Sequence, residues 1–411
     1  MENNHTPEIR FPGYIGAWEE RKIGEFLTES RISGTNGLEA KKLTVKLWGK
    51  GVVPKNEIYQ GSEATKYYIR KAGQFIYGKL DFLHQAFGII PDKLDGYEST
   101  LDSPAFDIAD NLNSSFFLEH VSRKQFYLYQ GTIANGSRKA KRIHSETFFE
   151  MPLIVPTMEE QKKIGDFFKK VDQTIALHQQ ELTTLKQTKQ GFLQKMFPKD
   201  GESVPEIRFP GFTGDWEEYK FENVLNKQDG IRRGPFGSAL KKEFFVKDSN
   251  YAVYEQQNAI YDNYETRYNI TKEKFTELKN FQLSEGDFIL SGAGTIGRIS
   301  RVPKGIKQGV FNQALIRFKI DEDITDPEYF IQWIRSENMQ RKLTGANPGS
   351  AITNLVPMSE VKKWDVMVPS KNEQIKIGEF FKQLDDTITL HQSELDALKE
   401  TKKAFLQKMF A

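Results

Sequence analysis

A long segment of this chain occurs twice, and this repeat constrains the fold more than any other feature of the sequence. Residues Gln161–Phe197 return as Gln374–Phe410, and 25 of the 37 aligned positions are identical at an offset of 213. A shorter repeat opens each half, because Pro7–Trp18 (PEIRFPGYIGAW) returns as Pro205–Trp216 (PEIRFPGFTGDW). The chain therefore consists of two similar halves, each with a short arm, a body of differing sequence and a repeated terminal segment.

The repeated terminal segment has the spacing of a coiled-coil helix. Its apolar residues recur at alternating intervals of four and three, which is the pattern of helices that pack along a seam. The predicted seam positions are Ile164, Phe168, Val171, Ile175, His178, Leu182, Leu185, Ile377, Phe381, Leu384, Ile388, His391, Leu395 and Leu398. Lys189 and Lys402 continue the seam, and we interpret these lysines and the two seam histidines as polar residues that fix the register of the helices.

Both long helices have a predicted start signal. The spacings Thr157-x-x-Glu160 and Ser370-x-x-Glu373 match the capping box, in which two side chains satisfy the first free backbone N–H groups of a helix. An alternative is that these are ordinary amphipathic helices of a globular core, but core helices average about three turns and these segments run for about nine. The pattern favours two long helices that pack against each other.

The repeat predicts four segments and a fold class. The segments are an arm with a first body (1–155), a first long helix (156–198), a linker, arm and second body (199–369), and a second long helix (370–411). The bodies combine short strand patterns with a helical pattern at Pro327–Leu343, without regular strand–helix alternation. The predicted strands include Phe75–Tyr77, Phe126–Tyr129, Asp287–Leu290 and Gln313–Phe318. We therefore predict an α+β fold with two mixed α/β domains and two long helices.

Composition excludes several classes of protein. The chain has no cysteine, which excludes disulfides, thiolate catalysis and cysteine-based zinc sites and is typical of a reducing cytoplasm. Its longest apolar runs are too short to span a membrane, and no export signal is present, so we expect a cytoplasmic protein. The net charge of +2 indicates no partner by itself, so a nucleic-acid surface would need local clusters of charge.

Two glycine motifs resemble nucleotide-binding sites but lack the required context. Gly292–Gly297 matches G-x-G-x-x-G, yet β-branched residues and Pro303 follow it where a dinucleotide site needs a helix. Gly73–Lys79 resembles a phosphate loop, but Leu80 stands where that loop needs a Ser or Thr. The six histidines do not fall at metal-ligand spacing. We therefore predict no catalytic residue, no metal site and no cofactor in this chain.

Both bodies contain clusters of amide and cationic side chains. Arg can bind guanine edges or phosphates, and Asn or Gln can pair with adenine. The candidate DNA-binding residues in the second body are Arg232, Arg233, Ser238, Lys241, Lys242, Gln256, Gln257, Asn258, Thr295, Asn312, Gln313, Ser350 and Asn354. Those in the first body are Arg123, Lys124, Ser137, Arg138, Lys139, Lys141 and Arg142. Each cluster taken alone could equally be a solvated basic loop, but their occurrence in both halves favours recognition of a ligand.

The repeat, the helices and the variable bodies together resemble the specificity subunit of type I restriction–modification enzymes. The resemblance runs through the whole chain and is carried by the PEIRFPGF opening, the Gly-Pro-Phe-Gly-Ser stretch from Gly234 and the FLQKMF helix ends. It implies that each body is a target-recognition domain for one half of a bipartite, asymmetric site in double-stranded DNA. It also implies that the two helices pack antiparallel as a spacer between the two domains, which relates the halves by pseudo-two-fold symmetry. The spacer would dock two modification subunits, with restriction subunits joining the full complex.

The resemblance further implies that the chain is not catalytic. S-adenosylmethionine, ATP and Mg would then be bound by the partner subunits. Two other functions remain open at this stage: a coiled-coil scaffold with two peptide-binding domains and no DNA contact, and a fused enzyme with an unrecognised active site. The scaffold gives no reason for amide- and Arg-rich loops in both halves, and the enzyme would need a nucleophile, metal or phosphate site that the sequence does not provide.

Overall fold

The computed structural model describes residues 5–56, 62–132, 142–344 and 357–411 and divides into two compact units. Unit 1 comprises Met1–Gln180 and Ser393–Ala411, and unit 2 comprises Glu181–Gln392. Each unit therefore contains one body together with part of each long helix, a division that differs from the four segments expected from the repeat. Both units combine short helices with small, mainly antiparallel sheets, which confirms the predicted α+β class.

Unit 1 is built around a four-stranded antiparallel sheet of order β2-β10-β7-β8. Smaller sheets pair β1 with β11, β4 with β5, and β3, β6 and β9 with one another. The strands are β1 Glu19–Lys22, β2 Leu27–Ser30, β3 Ser33–Asn36, β4 Leu43–Val45, β5 Val52–Pro54, β6 Lys66–Ile69, β7 Phe75–Tyr77, β8 Phe87–Ile89, β9 Glu98–Ser99, β10 Ala105–Ile108 and β11 Pro152–Val155. The helices that begin in this unit are α1 Ser114–Ser122, α2 Lys124–Thr132, α3 Ser145–Phe149 and α4 Met158–Lys195.

Unit 2 has a corresponding four-stranded sheet of order β13-β20-β17-β18 and a corresponding pair, β12 with β21. A further sheet, β14-β16-β15-β19, contains the parallel pair β15 and β19. The strands are β12 Glu217–Lys220, β13 Ile231–Arg233, β14 Phe245–Val246, β15 Tyr251–Tyr254, β16 Tyr268–Ile270, β17 Phe288–Ser291, β18 Ile299–Arg301, β19 Gly309–Phe311, β20 Leu315–Phe318 and β21 Asp365–Val368. The helices that begin here are α5 Gln256–Tyr261, α6 Lys272–Glu277, α7 Pro327–Arg335, α8 Glu337–Thr344, α9 Met358–Val361 and α10 Lys371–Lys408.

The two long helices, α4 and α10, each have 38 residues and lie within the predicted segments. All the predicted seam positions are buried or half-buried, whereas most of the positions between them are exposed. In unit 1, Lys402 of α10 contacts Asp172 of α4 at 2.7 Å. In unit 2, Lys189 of α4 contacts Asp385 of α10 at 2.5 Å. In both units the two helix segments run antiparallel, as the family resemblance implied.

A second shared feature is the arm that opens each half. In unit 1 the guanidinium of Arg10 donates to both carboxylate oxygens of Glu160, at 2.7 and 2.8 Å. In unit 2 Arg208 binds Glu373 in the same two-pronged way, at 2.7 Å for both contacts. Each pair attaches an arm to the first turn of a long helix, and the carboxylates are fully or almost fully buried.

These pairs also correct the predicted capping boxes. Thr157 and Ser370 do accept weak hydrogen bonds from the backbone N–H groups of Glu160 and Glu373, at 3.4 Å. The glutamate carboxylates, however, bind the arginines of the arms. An arginine gives a carboxylate two charge-assisted hydrogen bonds, whereas a backbone N–H gives one neutral bond, so the arm takes precedence.

Aromatic residues at the end of each repeat complete the frame of the unit. Phe410 packs against Trp18 and Phe116 in unit 1, with ring centroids 6.2 and 5.3 Å apart. Phe197 packs against Trp216 and Tyr329 in unit 2, at 6.4 and 5.8 Å. We call the arm, the long-helix segments and these aromatic contacts the repeated frame. It explains why the arms and the helix ends are alike in sequence while the bodies differ.

Two local predictions were wrong. Phe126–Tyr129 was predicted as a strand but lies in α2, where Phe126, Tyr127 and Gln130 are buried with helical spacing. The aromatic composition favoured a strand, and packing of α2 on the Phe82–His84 turn overrode it. The single helix predicted at Pro327–Leu343 is two helices, which are separated at Ser336.

The other strand predictions were confirmed to within two residues by β7, β17 and β20. Gly292–Gly297 is a turn between β17 and β18, as predicted, and is not followed by a helix. Among the described residues, no helix is both long and apolar enough to cross a membrane.

Candidate nucleic-acid interface

In unit 2 the structure brings several of the predicted loops onto one surface. The loop after β13 lies against the turn between β19 and β20, since the Gly234 N–H donates to the Leu315 carbonyl at 3.0 Å. That turn in turn adjoins the end of β15, because the Asn312 N–H donates to the Tyr254 carbonyl at 2.9 Å. The Gly292 N–H donates to the Ala314 carbonyl at 2.7 Å, which adds the Gly292–Gly297 turn. We call this the unit 2 loop surface; it comprises Arg233–Ser238, Gln256, Gly294–Thr295 and Asn312–Gln313.

Glycine is required where the first loop crosses the turn. A Cβ atom at Gly234 would lie 1.9 Å from the Asn312 carbonyl oxygen, so any side chain would displace the backbone. Gly237 lies close to the side chain of Gln313, whose Oε1 would be 3.1 Å from an added Cβ. Because of this close packing the loop is held in place, and Phe236 at its tip projects with 82% of its surface exposed.

The Gly292–Gly297 turn is held by side chains on both sides. The Ser291 hydroxyl donates to the Thr295 carbonyl at 2.6 Å and accepts from the Arg298 N–H at 3.0 Å. Gln340 donates to the Gly297 carbonyl at 2.9 Å. Gln256 lies beside Gly294, and its buried Oε1 has no hydrogen-bond partner among the described residues. The Gln256 amide nitrogen would lie 3.8 Å from a Cβ atom at Gly294, so this side chain also packs on the turn.

The predicted DNA-binding residues of unit 2 differ in exposure. Of the eleven that the structure describes, six are exposed and available to a ligand: Arg233, Ser238, Lys241, Lys242, Thr295 and Gln313. Gln256, Gln257 and Asn312 are half-buried, and Asn312 also closes its own turn by accepting from the Ala314 N–H at 3.1 Å. Ser350 and Asn354 lie outside the described residues.

Arg232 and Asn258 have structural roles that the sequence did not indicate. Arg232 donates to Asp229 at 2.9 Å, and Asp229 also binds the buried Arg317. Although burial opposes it, the positive charge of Arg317, with that of Arg232, keeps the pKa of Asp229 below its usual range. Asn258 is 1% exposed. Its amide oxygen accepts from the Glu255 N–H, and its amide nitrogen donates to the carbonyls of Asn263 and Glu265. Neither placement supports a direct DNA contact.

In unit 1 the predicted residues are scattered or lie outside the described ranges. Arg123 donates to the Ala411 carbonyl at 3.3 Å, and its guanidinium lies 4.7 Å from the centroid of the Phe410 ring. Burial lowers the pKa of Arg123 to about 10. Arg123 therefore holds the end of the repeated frame, a placement that does not support a direct DNA contact. Lys124 is exposed on α2, and Arg142 is exposed and paired with Asp102 at 2.9 Å. Ser137, Arg138, Lys139 and Lys141 lie outside the described residues.

The seam lysines have carboxylate partners that sequence reasoning did not identify. Lys402 contacts Asp172 at 2.7 Å and Glu119 at 3.0 Å within unit 1. Lys189 contacts Asp385 at 2.5 Å within unit 2, and Asp385 also accepts from Gln332 at 3.0 Å. These ion pairs between helices are consistent with a role in fixing register. Lys189 and Lys402 occupy equivalent positions of the two repeats, and so do Asp172 and Asp385. That equivalence was the sequence signal from which the two ion pairs could have been predicted.

Comparison with known proteins gives consistent matches. The model of a family described as the type I restriction modification DNA specificity domain matches residues 16–187 and 214–400. The chain is 20% identical over 308 residues to the type I restriction enzyme MjaVIII specificity subunit of Methanocaldococcus jannaschii, covering 72% of this chain and 69% of that one. It is 19% identical over 299 residues to MjaX, a provisionally assigned specificity subunit of the same organism. That match covers 71% of this chain and 65% of the relative, slightly less than two thirds of its length.

Two solved structures share the fold. The crystal structure of a type I restriction–modification S subunit from M. genitalium superposes with a TM-score of 0.58 at 13% identity, over 99% of both chains. A chain from a structure of a type I restriction–modification system, solved to explain complex assembly and conformational transition, gives a TM-score of 0.57 at 14% identity over 98% of both chains. At such low identity these matches concern the fold alone.

Proposed function

Since this chain belongs to the type I restriction modification DNA specificity family, we propose that it recognises a two-part DNA site, with one half-site for each unit. The observation that carries this proposal is that one repeated frame holds two bodies with different sheets and loops. A common frame suits a task that both units share, whereas different loops suit different base sequences. The proposed site is therefore asymmetric.

The unit 2 loop surface has the chemistry to recognise one half-site. Arg233 can donate two hydrogen bonds to a guanine edge or bind a phosphate, and Gln313 can pair with adenine. Lys241 and Lys242, which follow the loop and are exposed, suit contacts to the phosphate backbone. Fixed glycine loops reduce the conformational entropy lost on binding, because the contacting groups are already in place.

The repeated frame is the proposed docking site for the modification subunits. Leu177 of α4 and Leu390 of α10 occupy matched positions in the repeat and are 54% and 58% exposed. One exposed leucine on the long helix of each unit fits the docking of two identical partners, one per unit. In this assignment the chain is not catalytic, and S-adenosylmethionine, ATP and Mg are bound by modification and restriction subunits.

The proposal is tested by mapping adenine methylation across the genome of cells that carry this chain with its partner subunits, and of cells in which it is deleted. The expected result is a two-part, asymmetric motif with a fixed gap that disappears on deletion. If methylation is unchanged by deletion, and the chain with its partners shifts no DNA fragment of that genome in a gel assay, the proposal is wrong.

A further inference from the structure

The turn between β4 and β5 in unit 1 presents an exposed tryptophan between two lysines. The segment Lys46–Gly51 (KLWGKG) joins the two strands, which pair in register from Leu43–Pro54 to Val45–Val52. Trp48 at its tip is 57% exposed, and Lys46 and Lys50 on either side are exposed as well. Neither lysine forms an ion pair within the described part of the chain. An exposed indole flanked by two cations offers a ligand both an apolar face and positive charge.

The tip of this hairpin is held in one conformation. Trp48 has a φ of +62°, a conformation that a bulky residue adopts only where its surroundings impose it. The Trp48 N–H donates to the His84 carbonyl at 2.7 Å, and the Gly49 N–H donates to the Gln85 carbonyl at 3.0 Å. The Trp48 and His84 rings meet edge to face, with centroids 5.4 Å apart. The indole is therefore both exposed and positioned.

The support beneath the hairpin is itself fixed to the body of unit 1. Gln85 also has a positive φ, of +52°, and its side chain donates to the Ser122 carbonyl at the end of α1 at 3.0 Å. Asp81, the acidic residue of the same turn, faces His84 at 3.5 Å. Lys46 and Lys50 give the hairpin tip two exposed positive charges.

The described residues on both sides of the predicted basic segment lie near the turn that supports the hairpin. On one flank of that segment, Gly131 of α2 packs against Leu83, one residue before His84. On the other flank, the Ile143 N–H donates to the Lys79 carbonyl at 3.0 Å, just after β7. Both described flanks of the predicted segment therefore adjoin the turn that supports Trp48.

We propose that the β4–β5 hairpin is a DNA-contacting element of unit 1, with Trp48 against a base edge and Lys46 and Lys50 on phosphates. This inference rests on the proposed function and names the element that recognises the first half-site. A two-stranded ribbon fits the major groove, which is about 12 Å wide, and an apolar ring can contact the thymine methyl group there. Strands β4 and β5 belong to the body that differs between the units, whereas a surface for the shared subunits belongs on the repeated frame. That placement favours DNA over a protein partner.

The test uses the reconstituted complex of this chain with its partner subunits and a duplex that carries the full recognition site. Trp48→Gly removes the ring and admits the positive φ without strain, so the shape of the hairpin is preserved. Loss of one base contact is expected to raise the Kd for the cognate duplex by about 10-fold or more. Trp48→Phe should restore most of the affinity. Replacement of Lys46 and Lys50 by Ala should lower the slope of log K against log salt by roughly 2.

The matched control is Tyr261→Ala in unit 2, because Tyr261 is an aromatic residue of similar exposure, at 75%, outside the unit 2 loop surface. It should leave the Kd unchanged. With wild-type complex bound to its site, an unchanged Kd for Trp48→Gly would overturn the inference and leave the proposed function standing. Failure of Trp48→Gly to assemble with the partner subunits would also overturn it, in favour of a protein interface. A wild-type complex that does not discriminate between cognate and unrelated duplexes would instead refute the proposed function.

Discussion

The two units place a half-buried lysine at matched positions and surround it with different charges. In unit 1, Lys402 lies between the carboxylates of Asp172 and Glu119. In unit 2, Lys189 faces the carboxylate of Asp385, and the place matching Glu119 is taken by the neutral amide of Gln332. A second cation, that of Arg335, reaches the same Asp385 at 3.3 Å.

This difference shifts the pKa of the two lysines in opposite directions. Burial lowers the pKa of a lysine, but two carboxylates outweigh it at Lys402 and raise the pKa of that ammonium. At Lys189 burial dominates over Asp385 and lowers the pKa. Burial, opposed by Lys402, raises the pKa of Glu119 to about 7. The repeated frame thus keeps its geometry under different charges. Where unit 1 has Glu119, a carboxyl with a pKa of about 7, unit 2 has the neutral amide of Gln332.

The largest effect is expected from removing the aromatic residue that ends each repeat. Phe197→Ala and Phe410→Ala should each destabilise their own unit by about 3–5 kcal/mol, because a buried ring is replaced by a cavity. Hydrogen exchange of the full chain measures this, with α7 reporting on unit 2 and α1 on unit 1. Equal loss of protection in both helices for either variant would contradict the separate frames.

A slightly smaller effect is expected from the arms. Arg10→Ala and Arg208→Ala each leave a buried glutamate without its partner, which should cost about 3 kcal/mol of local stability. The two losses should be alike, because the two pairs have the same geometry. Exchange of the first turns of α4 and α10 measures them. Arg21→Ala is the control, since its pair with Glu25 is exposed and should contribute nothing measurable.

The charge difference can be tested by exchanging the two side chains. The folded-state pKa of Glu119, about 7, lies above its ordinary value of 4.5, so its stabilising contribution is complete below pH 4.5 and is lost as pH rises through 7. Glu119→Gln gives unit 1 the amide of unit 2 and removes that loss. When the pH rises from 5 to 8, the free energy of unfolding of unit 1 should fall by about 1–3 kcal/mol in the wild-type chain. The Glu119→Gln variant should not show this fall.

The reciprocal variant, Gln332→Glu, is the matched control. Arg335 and Lys189 supply two positive charges there, so the new carboxylate should be tolerated at pH 8 with a smaller pH dependence than Glu119 shows. Thermal unfolding of both variants across pH 5–8 measures the effect. A pH dependence that is the same for wild type and Glu119→Gln would show that Glu119 does not titrate in this range.

The smallest effects are expected at single exposed cations of the bodies. Arg233→Ala in unit 2 and Lys124→Ala in unit 1 should each lower the salt slope of DNA binding by the complex by roughly 1. Arg233→Ala should also relax base preference at one position of its half-site, which Lys124→Ala should not. Arg232→Ala serves as the neighbouring control, because its side chain is paired with Asp229. An effect of Arg232→Ala on base preference as large as that of Arg233→Ala would contradict the assigned surface.

The frame was predictable because its physical causes recur in sequence. A spacing of four and three sustained along α4 and α10 predicts a long helix packed along one seam. Every predicted seam position is at least half-buried. The arms were recognisable in the sequence because they repeat, but the glutamates that bind their arginines were not. That Arg10 binds Glu160 depends on a contact across 150 residues, which no local spacing encodes.

The bodies were less predictable because tertiary packing decides which polar groups reach the surface. Arg232 and Arg233 are adjacent in sequence, yet strand alternation places one beside Asp229 and leaves the other exposed. Asn258 belongs to an amide-rich run but closes a turn from a buried position. Trp48 gave no signal, because composition alone does not distinguish an exposed tryptophan from a core one.

Each unit has a copy of the repeated frame, and we infer that the two copies carry two independent recognition bodies. Exchange of a single body tests this most directly. Glu19–Val155 would be replaced by the corresponding body of another specificity subunit, and adenine methylation would be mapped across the genome. The account predicts that one half of the motif changes while the other half and the gap are retained. Methylation in which both halves change, or in which the original motif persists, would contradict it.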